Sequence, residues 1–185
     1  VTIALLGLCA SFVVITGPAV AQSEVVFESD FASGTTEGWV ERGPVTLTVT
    51  DEQSLTGDQS LLTTGRTADW NGPAFDVTDL FTPGVTYHIE LHVRFVEGDE
   101  PSTVKVTVQQ ETAGTQSWTQ ASEDVPVTDE EWTRIEGSYL ARDADQLLLY
   151  VESPRVGNSF YLDDVRITAD DAAGADGEAQ VDDLA

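Results

Sequence analysis

Tyr150 and Glu152 stand two apart in the run Leu147-Leu148-Leu149-Tyr150-Val151-Glu152. Side chains alternate along an extended strand, so this pair leaves one face while Leu147, Leu149 and Val151 leave the other. A phenol ring beside a carboxylate offers a flat apolar surface and a bidentate acceptor for hydroxyl groups. A sugar ring asks for that combination: aromatic rings cover its C–H faces and planar polar groups bond its hydroxyl edge. The same pair also fits an ordinary solvated face, because 33 Asp and Glu residues supply many exposed carboxylates. Trp70 lies in Asp69-Trp70-Asn71-Gly72-Pro73, a loop-type stretch, and reads either as a groove-lining ring or as a loop Trp packed over a sandwich end. Trp118 shares a strand face with Gln116 and Gln120, which suits a polar groove or an edge strand covering the core. Arg42 precedes Gly43-Pro44 and is either a hydroxyl donor or the partner of a nearby carboxylate. Trp39 and Trp132 fall at strand ends among core-type positions and read as structural.

Other chemistries find less support. Paired carboxylates also serve glycosidases, but with so many acids some pair falls at a suitable separation by chance. His88 and His92 lie four apart on one strand face, about 13 Å by strand rise, too far to share a metal; both read as polar sheet-face residues, with a place along a groove floor as the alternative for His92. The one cysteine, Cys9, sits in the apolar N-terminal segment, so the rest has no thiol chemistry and no disulfide. A cysteine-free sandwich gains from a hard metal tying its terminal strands, and calcium suits carboxylate and carbonyl ligands. Glu28 on the first strand and Asp163 and Asp164 on the last are the candidate ligands. Neighbours on a strand point to opposite faces, so Asp163 and Asp164 are not expected to serve equally.

The elements that must position these side chains are strands. From Val25 to Thr168 the hydrophobic period is two. Val85, Tyr87, Ile89, Leu91, Val93 and Phe95 alternate with polar residues, as do Val104, Val106 and Val108. Further short strands fit near 25–28, 45–50, 60–65, 74–77, 116–121, 132–140 and 160–168. Turn signals such as Gly43-Pro44, Asn71-Gly72-Pro73, Pro83-Gly84 and Gly157-Asn158 separate them. About ten short strands without a convincing amphipathic helix imply an all-β, antiparallel two-sheet sandwich of jelly-roll, galactose-binding-like form. The formal charge of −25 opposes nucleic acid and anionic membrane as partners and fits a surface working in high salt. Residues 1–21 are apolar and end in Ala19-Val20-Ala21, the pattern of a secretory signal peptide, which implies an extracellular protein. Residues 22–168 form the sandwich, and 169–185, rich in Ala, Asp and Gly, read as an acidic disordered tail or linker.

The order of motifs carries a resemblance. Gly38-Trp39-Val40-Glu41-Arg42-Gly43 comes first, then Gly65-Arg66 and Asp69-Trp70-Asn71-Gly72-Pro73. Gly84-Val85-Thr86-Tyr87, Glu131-Trp132-Thr133, Leu149-Tyr150-Val151-Glu152 and Phe160-Tyr161-Leu162-Asp163-Asp164-Val165 follow. Over about residues 25–168 the chain resembles a family 22 carbohydrate-binding module, the xylan-binding type often attached to family 10 xylanases. It departs where Ala32 follows Phe31, a place usually held by Glu, and at Trp118, near which Tyr is usual. The resemblance implies a non-catalytic cleft for an internal stretch of β-1,4-xylan, lined by Arg42, Trp70, Trp118, Tyr150 and Glu152. It also implies a structural ion, completed by backbone carbonyls around Glu52 to Gly57, and a tethered xylanase as partner. A structural or adhesive sandwich without glycan specificity remains the second reading, and predicts that the three aromatics are buried or scattered. A small glycoside hydrolase or lyase is the third.

Overall fold

The computed structural model describes residues 23–170. The expected signal peptide, Cys9 and residues 171–185 of the expected tail lie outside the described residues. Twelve strands follow one another: β1 (Glu24–Ser29), β2 (Val40–Arg42), β3 (Thr46–Thr50), β4 (Ser60–Thr64), β5 (Gly72–Asp76), β6 (Thr86–Phe95), β7 (Ser102–Thr112), β8 (Thr115–Gln120), β9 (Val125–Val127), β10 (Thr133–Leu140), β11 (Gln146–Glu152) and β12 (Phe160–Ala169). All pairings are antiparallel, in two sheets. One has the order β10-β6-β12-β4-β3, with β1 also on β12; the other has β2-β5-β11-β7-β8, with β9 on β7. The chain crosses between the sheets from β4 through β7 and again from β9 through β12, so strands adjacent within one sheet are mostly far apart in sequence.

The period-two pattern decides which face is buried. Tyr87, Ile89, Leu91, Val93 and Phe95 of β6 turn inward, as do Leu162, Val165 and Ile167 of β12. They meet Val104, Val106 and Val108 of β7 and Leu147, Leu149 and Val151 of β11. Each such side chain taken from water contributes about 1.5–3 kcal/mol. Trp39 is buried, as expected, and packs near Phe75 at 5.6 Å between ring centroids. Trp132 is only half-buried and lies 6.4 Å from Tyr161, just ahead of β10.

Four expectations need correction. The strands β2 and β9 were not anticipated, since three residues are too few to show a period. Gly72 and Pro73, read as a turn, belong to β5; an added Cβ at Gly72 would strike the Val151 carbonyl oxygen, so glycine lets β5 approach β11. Strand β12 runs through Ala169, and the Asp170 carboxylate meets His88 Nε2 at 2.8 Å, so order extends past residue 168. His92 also lies on β6, in the sheet opposite the groove described next, and takes no part in its floor.

Candidate glycan-binding groove

The outer face of the second sheet forms a groove lined by Arg42, Trp70, Trp118, Tyr150 and Glu152, with Glu41, Asp69, Gln109 and Leu148 among the other lining residues. All five side chains expected to bind sugar thus converge. Trp70 and Trp118 are 43% and 55% exposed, one on the loop before β5 and one on β8, so two flat rings stand on opposite sides of the groove. The scattering that a purely structural sandwich would show does not occur.

Arg42 has a larger part than expected. Among the described residues it pairs with no carboxylate. From β2 its guanidinium reaches across the sheet, 3.8 Å over the Tyr150 ring and 5.0 Å from the Trp70 ring centroid. Nη1 donates to the Trp70 carbonyl at 2.6 Å and Nη2 donates to Gln109 Oε1 at 3.0 Å. This explains a departure from expectation: Tyr150 faces the groove but is only 3% exposed, because Arg42 lies on its ring. Tyr150 is a platform for the guanidinium, not an open stacking surface. Burial, aided by the Glu152 charge, raises the Tyr150 pKa against the lowering effect of Arg42. Glu152 Oε1 accepts from the Thr107 hydroxyl at 2.6 Å and lies 3.8 Å from Lys105 Nζ. One carboxylate oxygen is therefore anchored, and among the described residues the other has no protein partner.

The loop that carries Trp70 is held from beneath by Arg66, quoted above only as part of a motif. Arg66 is 3% exposed, and its guanidinium donates to five backbone carbonyls: Asp69, Asn71, Ser153, Arg155 and Asn158. Burial lowers its pKa while Asp69 and Glu152 raise it. Asn71, fully buried, accepts on Oδ1 from the backbone and hydroxyl of Thr67 and from the Ala68 N–H. A Cβ at Gly43 would strike the Asn71 side chain and come within 2.7 Å of the Trp70 ring, and φ there is +78°. A signal for Arg66 existed: a lone Arg after Gly65 in a chain with few basic residues. Its burial is a matter of two loops meeting, which local pattern does not show.

The three expected metal ligands do not form one set. Glu28 pairs with Arg166 Nη1 at 2.6 Å. Asp163 is fully buried, and its carboxylate accepts from the backbone N–H of Leu55 at 2.7 Å, Thr56 at 3.4 Å and Asp164 at 2.8 Å. Burial pushes its pKa up, and the Asp164 charge adds to this against those amides. The pairing of β12 with β6 shifts register between Asp163 and Arg166, and Asp164 has a φ of +46°. Alternation fails there, so Asp164 Oδ1 addresses the same loop, accepting from the Thr56 hydroxyl at 2.5 Å. No group of three His, Cys, Asp or Glu side chains able to hold a metal occurs among the described residues. What fits a hard cation is the narrower pair: a buried carboxylate beside a second one, with no basic side chain bridged to either among the described residues.

Comparison with known proteins agrees with the groove. A carbohydrate-binding domain family model matches residues 23–159. The chain is 36% identical over 166 residues to endo-1,4-beta-xylanase C of Paenibacillus barcinonensis, covering 87% of this chain and 15% of that one. It is 36% identical over 157 residues to endo-1,4-beta-xylanase A of Thermoanaerobacterium saccharolyticum, covering 84% of this chain and 14% of that one. The chain thus spans about a seventh of these curated relatives. The CBM22-1 xylan-binding domain of Paenibacillus barcinonensis Xyn10C superposes with a TM-score of 0.78 at 36% identity, covering 82% of this chain and 97% of that one. The C-terminal family 22 module of Clostridium thermocellum Xyn10B gives a TM-score of 0.71 at 26% identity, covering 77% and 91%. The solved structures matched at full length are binding domains rather than catalytic ones. A convergent aromatic groove, a shared fold and a family match over most of the strands lead to one assignment: the chain belongs to the carbohydrate-binding domain family, as a non-catalytic module of the family 22 type.

Proposed function

We propose that the groove binds an internal stretch of β-1,4-xylan and that the module keeps a linked glycoside hydrolase, of xylanase type, at its substrate. The observation that carries this reading is the pair of exposed rings, Trp70 and Trp118, on opposite sides of a floor that includes Arg42, Gln109 and Glu152. Rings on opposite sides grip successive sugar units by their C–H faces, while Glu152 accepts from hydroxyls. Tethering then raises the local substrate concentration around the enzyme without any chemistry in this module. Soluble xylan retards the protein in affinity electrophoresis, and Trp70→Ala with Glu152→Ala abolishes the retardation; unchanged retardation of the double variant refutes the assignment. Neutral arabinoxylan is bound in preference to polygalacturonate, because Glu41, Asp69 and Glu152 repel a polyanion.

Two further readings accompany it. The apolar start of the chain and the function in plant polymers support secretion. Among the described residues only Glu28, Glu90, Glu136, Glu152 and Asp170 meet a basic side chain. The remaining acidity supports a salt-rich setting, where the Debye length falls to about 3 Å at 1 M. Asp163 and Asp164 with loop 52–57 hold a structural hard cation, calcium by ligand type, which supplies the counter-charge of the buried carboxylate. Calcium at 100-fold its Kd then stabilises the fold by about 2.7 kcal/mol. The midpoint of thermal unfolding rises by several degrees from EDTA to calcium; equal midpoints refute this cation.

A further inference from the structure

We propose that Gln109 is a ligand-contacting residue of the groove, supplying the hydrogen-bond donor that complements the Glu152 acceptor. The inference rests on the xylan reading above and adds to it which atoms of the floor meet the sugar. Gln109 lies on β7, opposite Trp118 of β8 and opposite Leu148 of β11, so it lines the groove beside the Trp118 wall. Its amide has one oxygen and one NH2 group, and a guanidinium only donates. The atom that meets Arg42 Nη2 at 3.0 Å is therefore Oε1. That contact fixes the amide plane and turns Nε2 away from Arg42. Among the described residues Nε2 has no protein partner, so both its N–H groups remain for a ligand.

The neighbouring glutamines behave differently. Gln116 Nε2 donates to Glu111 at 3.0 Å, and Gln120 Nε2 donates to the Ser122 carbonyl at 2.8 Å. Both belong to β8, which is exposed along its whole length. Gln109 is half-buried and held by a charged partner. An immobilised donor loses less freedom on binding than a swinging one. The ligand class this recognises is a neutral pyranose chain with an acceptor at its hydroxyl or ring oxygen, held between the two tryptophans. A carboxylate-bearing unit would instead meet Glu152 nearby.

Two substitutions separate contact from positioning. Gln109→Ala removes both the tie to Arg42 and the N–H groups. Gln109→Glu keeps an oxygen for Arg42, and with a charge that strengthens the tie, but has no N–H to give. Binding of the full chain to soluble arabinoxylan is measured by titration calorimetry at fixed salt, beside thermal unfolding. Both variants are expected to bind about tenfold more weakly, the scale of one lost hydrogen bond, and to remain folded at the temperature of the titration. Gln109→Glu binding as tightly as the unsubstituted chain overturns the inference, since the residue then serves only to hold Arg42. Gln109→Ala binding unchanged overturns it as well. An unsubstituted chain that fails to bind arabinoxylan refutes the xylan reading itself, and that result is seen before any variant is compared.

Discussion

Replacing Arg66 by Lys tests whether the Trp70 side of the groove is set by a buried cation. The native guanidinium satisfies five backbone carbonyls from two loops, residues 69–71 and 153–158. An ammonium has three N–H groups on a narrower head. At least two of those carbonyls lose their donor, and a buried acceptor left unpaired costs about 1–3 kcal/mol. The expected destabilisation is therefore about 2–6 kcal/mol. For a fold of about 150 residues, 1 kcal/mol corresponds to about 3 °C, so the midpoint should fall by about 6–18 °C. Binding should weaken as well, even well below the midpoint, because Asp69 and Asn71 flank Trp70 and lose their anchor. Differential scanning calorimetry reads the first effect and affinity electrophoresis in soluble xylan the second. A variant with a native midpoint and native retardation would show that the five contacts do not hold the loop in place.

Two more perturbations probe neighbouring features. Gly43→Ala places a methyl group against Asn71 and the Trp70 ring at a φ of +78°; it should displace Trp70 and weaken xylan binding at least tenfold, and unaltered binding in calorimetry would refute the close approach. Glu37 accepts from the Ser29 hydroxyl at 2.6 Å and from the Phe31 N–H at 3.2 Å, where Phe31 has a φ of +55°. Burial raises its pKa, but those hydrogen bonds and contacts with Ser33 outweigh this and leave it lowered. A lowered folded pKa gives stability that is present above the ordinary carboxylate range and lost as pH falls through the folded value. The stability gap between the native chain and Glu37→Gln should therefore be open at pH 7 and close in acid, as followed by urea unfolding; a gap that does not narrow on acidification contradicts this.

Much of the fold was written in the alternation of apolar residues. The long strands β6, β7, β10, β11 and β12 are where the period-two pattern is, because each has a water-facing and a core-facing side. Strands β2 and β9 escaped notice, as Val-Glu-Arg and Val-Pro-Val carry no period. Which sheet a strand joins is also not a local property, so His92 is the polar sheet-face residue its pattern implies but lies on the sheet opposite the groove. In the groove, Tyr150 and Glu152 shared a face as their spacing requires. The placing of Arg42 over Tyr150 was hidden, since it depends on β2 lying two strands from β11. Asp163 and Asp164 were expected to part, and a bulge, invisible in residue types, brings both to one loop. Arg66 was quoted as a motif without a role, because its partners are carbonyls that any sequence possesses.

The two tryptophans stand on supports of unequal stiffness. Trp70 rides on a loop pinned by a buried guanidinium and by Asn71. Trp118 rides on β8, which among the described residues pairs only with β7 and is exposed at all six residues. Segments with few buried contacts and solvent-exposed ladders open at lower free energy than the core. The groove thus works as a vice with one fixed jaw and one sprung jaw. The fixed jaw sets where a chain must lie, and the sprung jaw yields to substituents of different bulk, so ligands that differ in decoration should differ more in how quickly they leave than in where they sit.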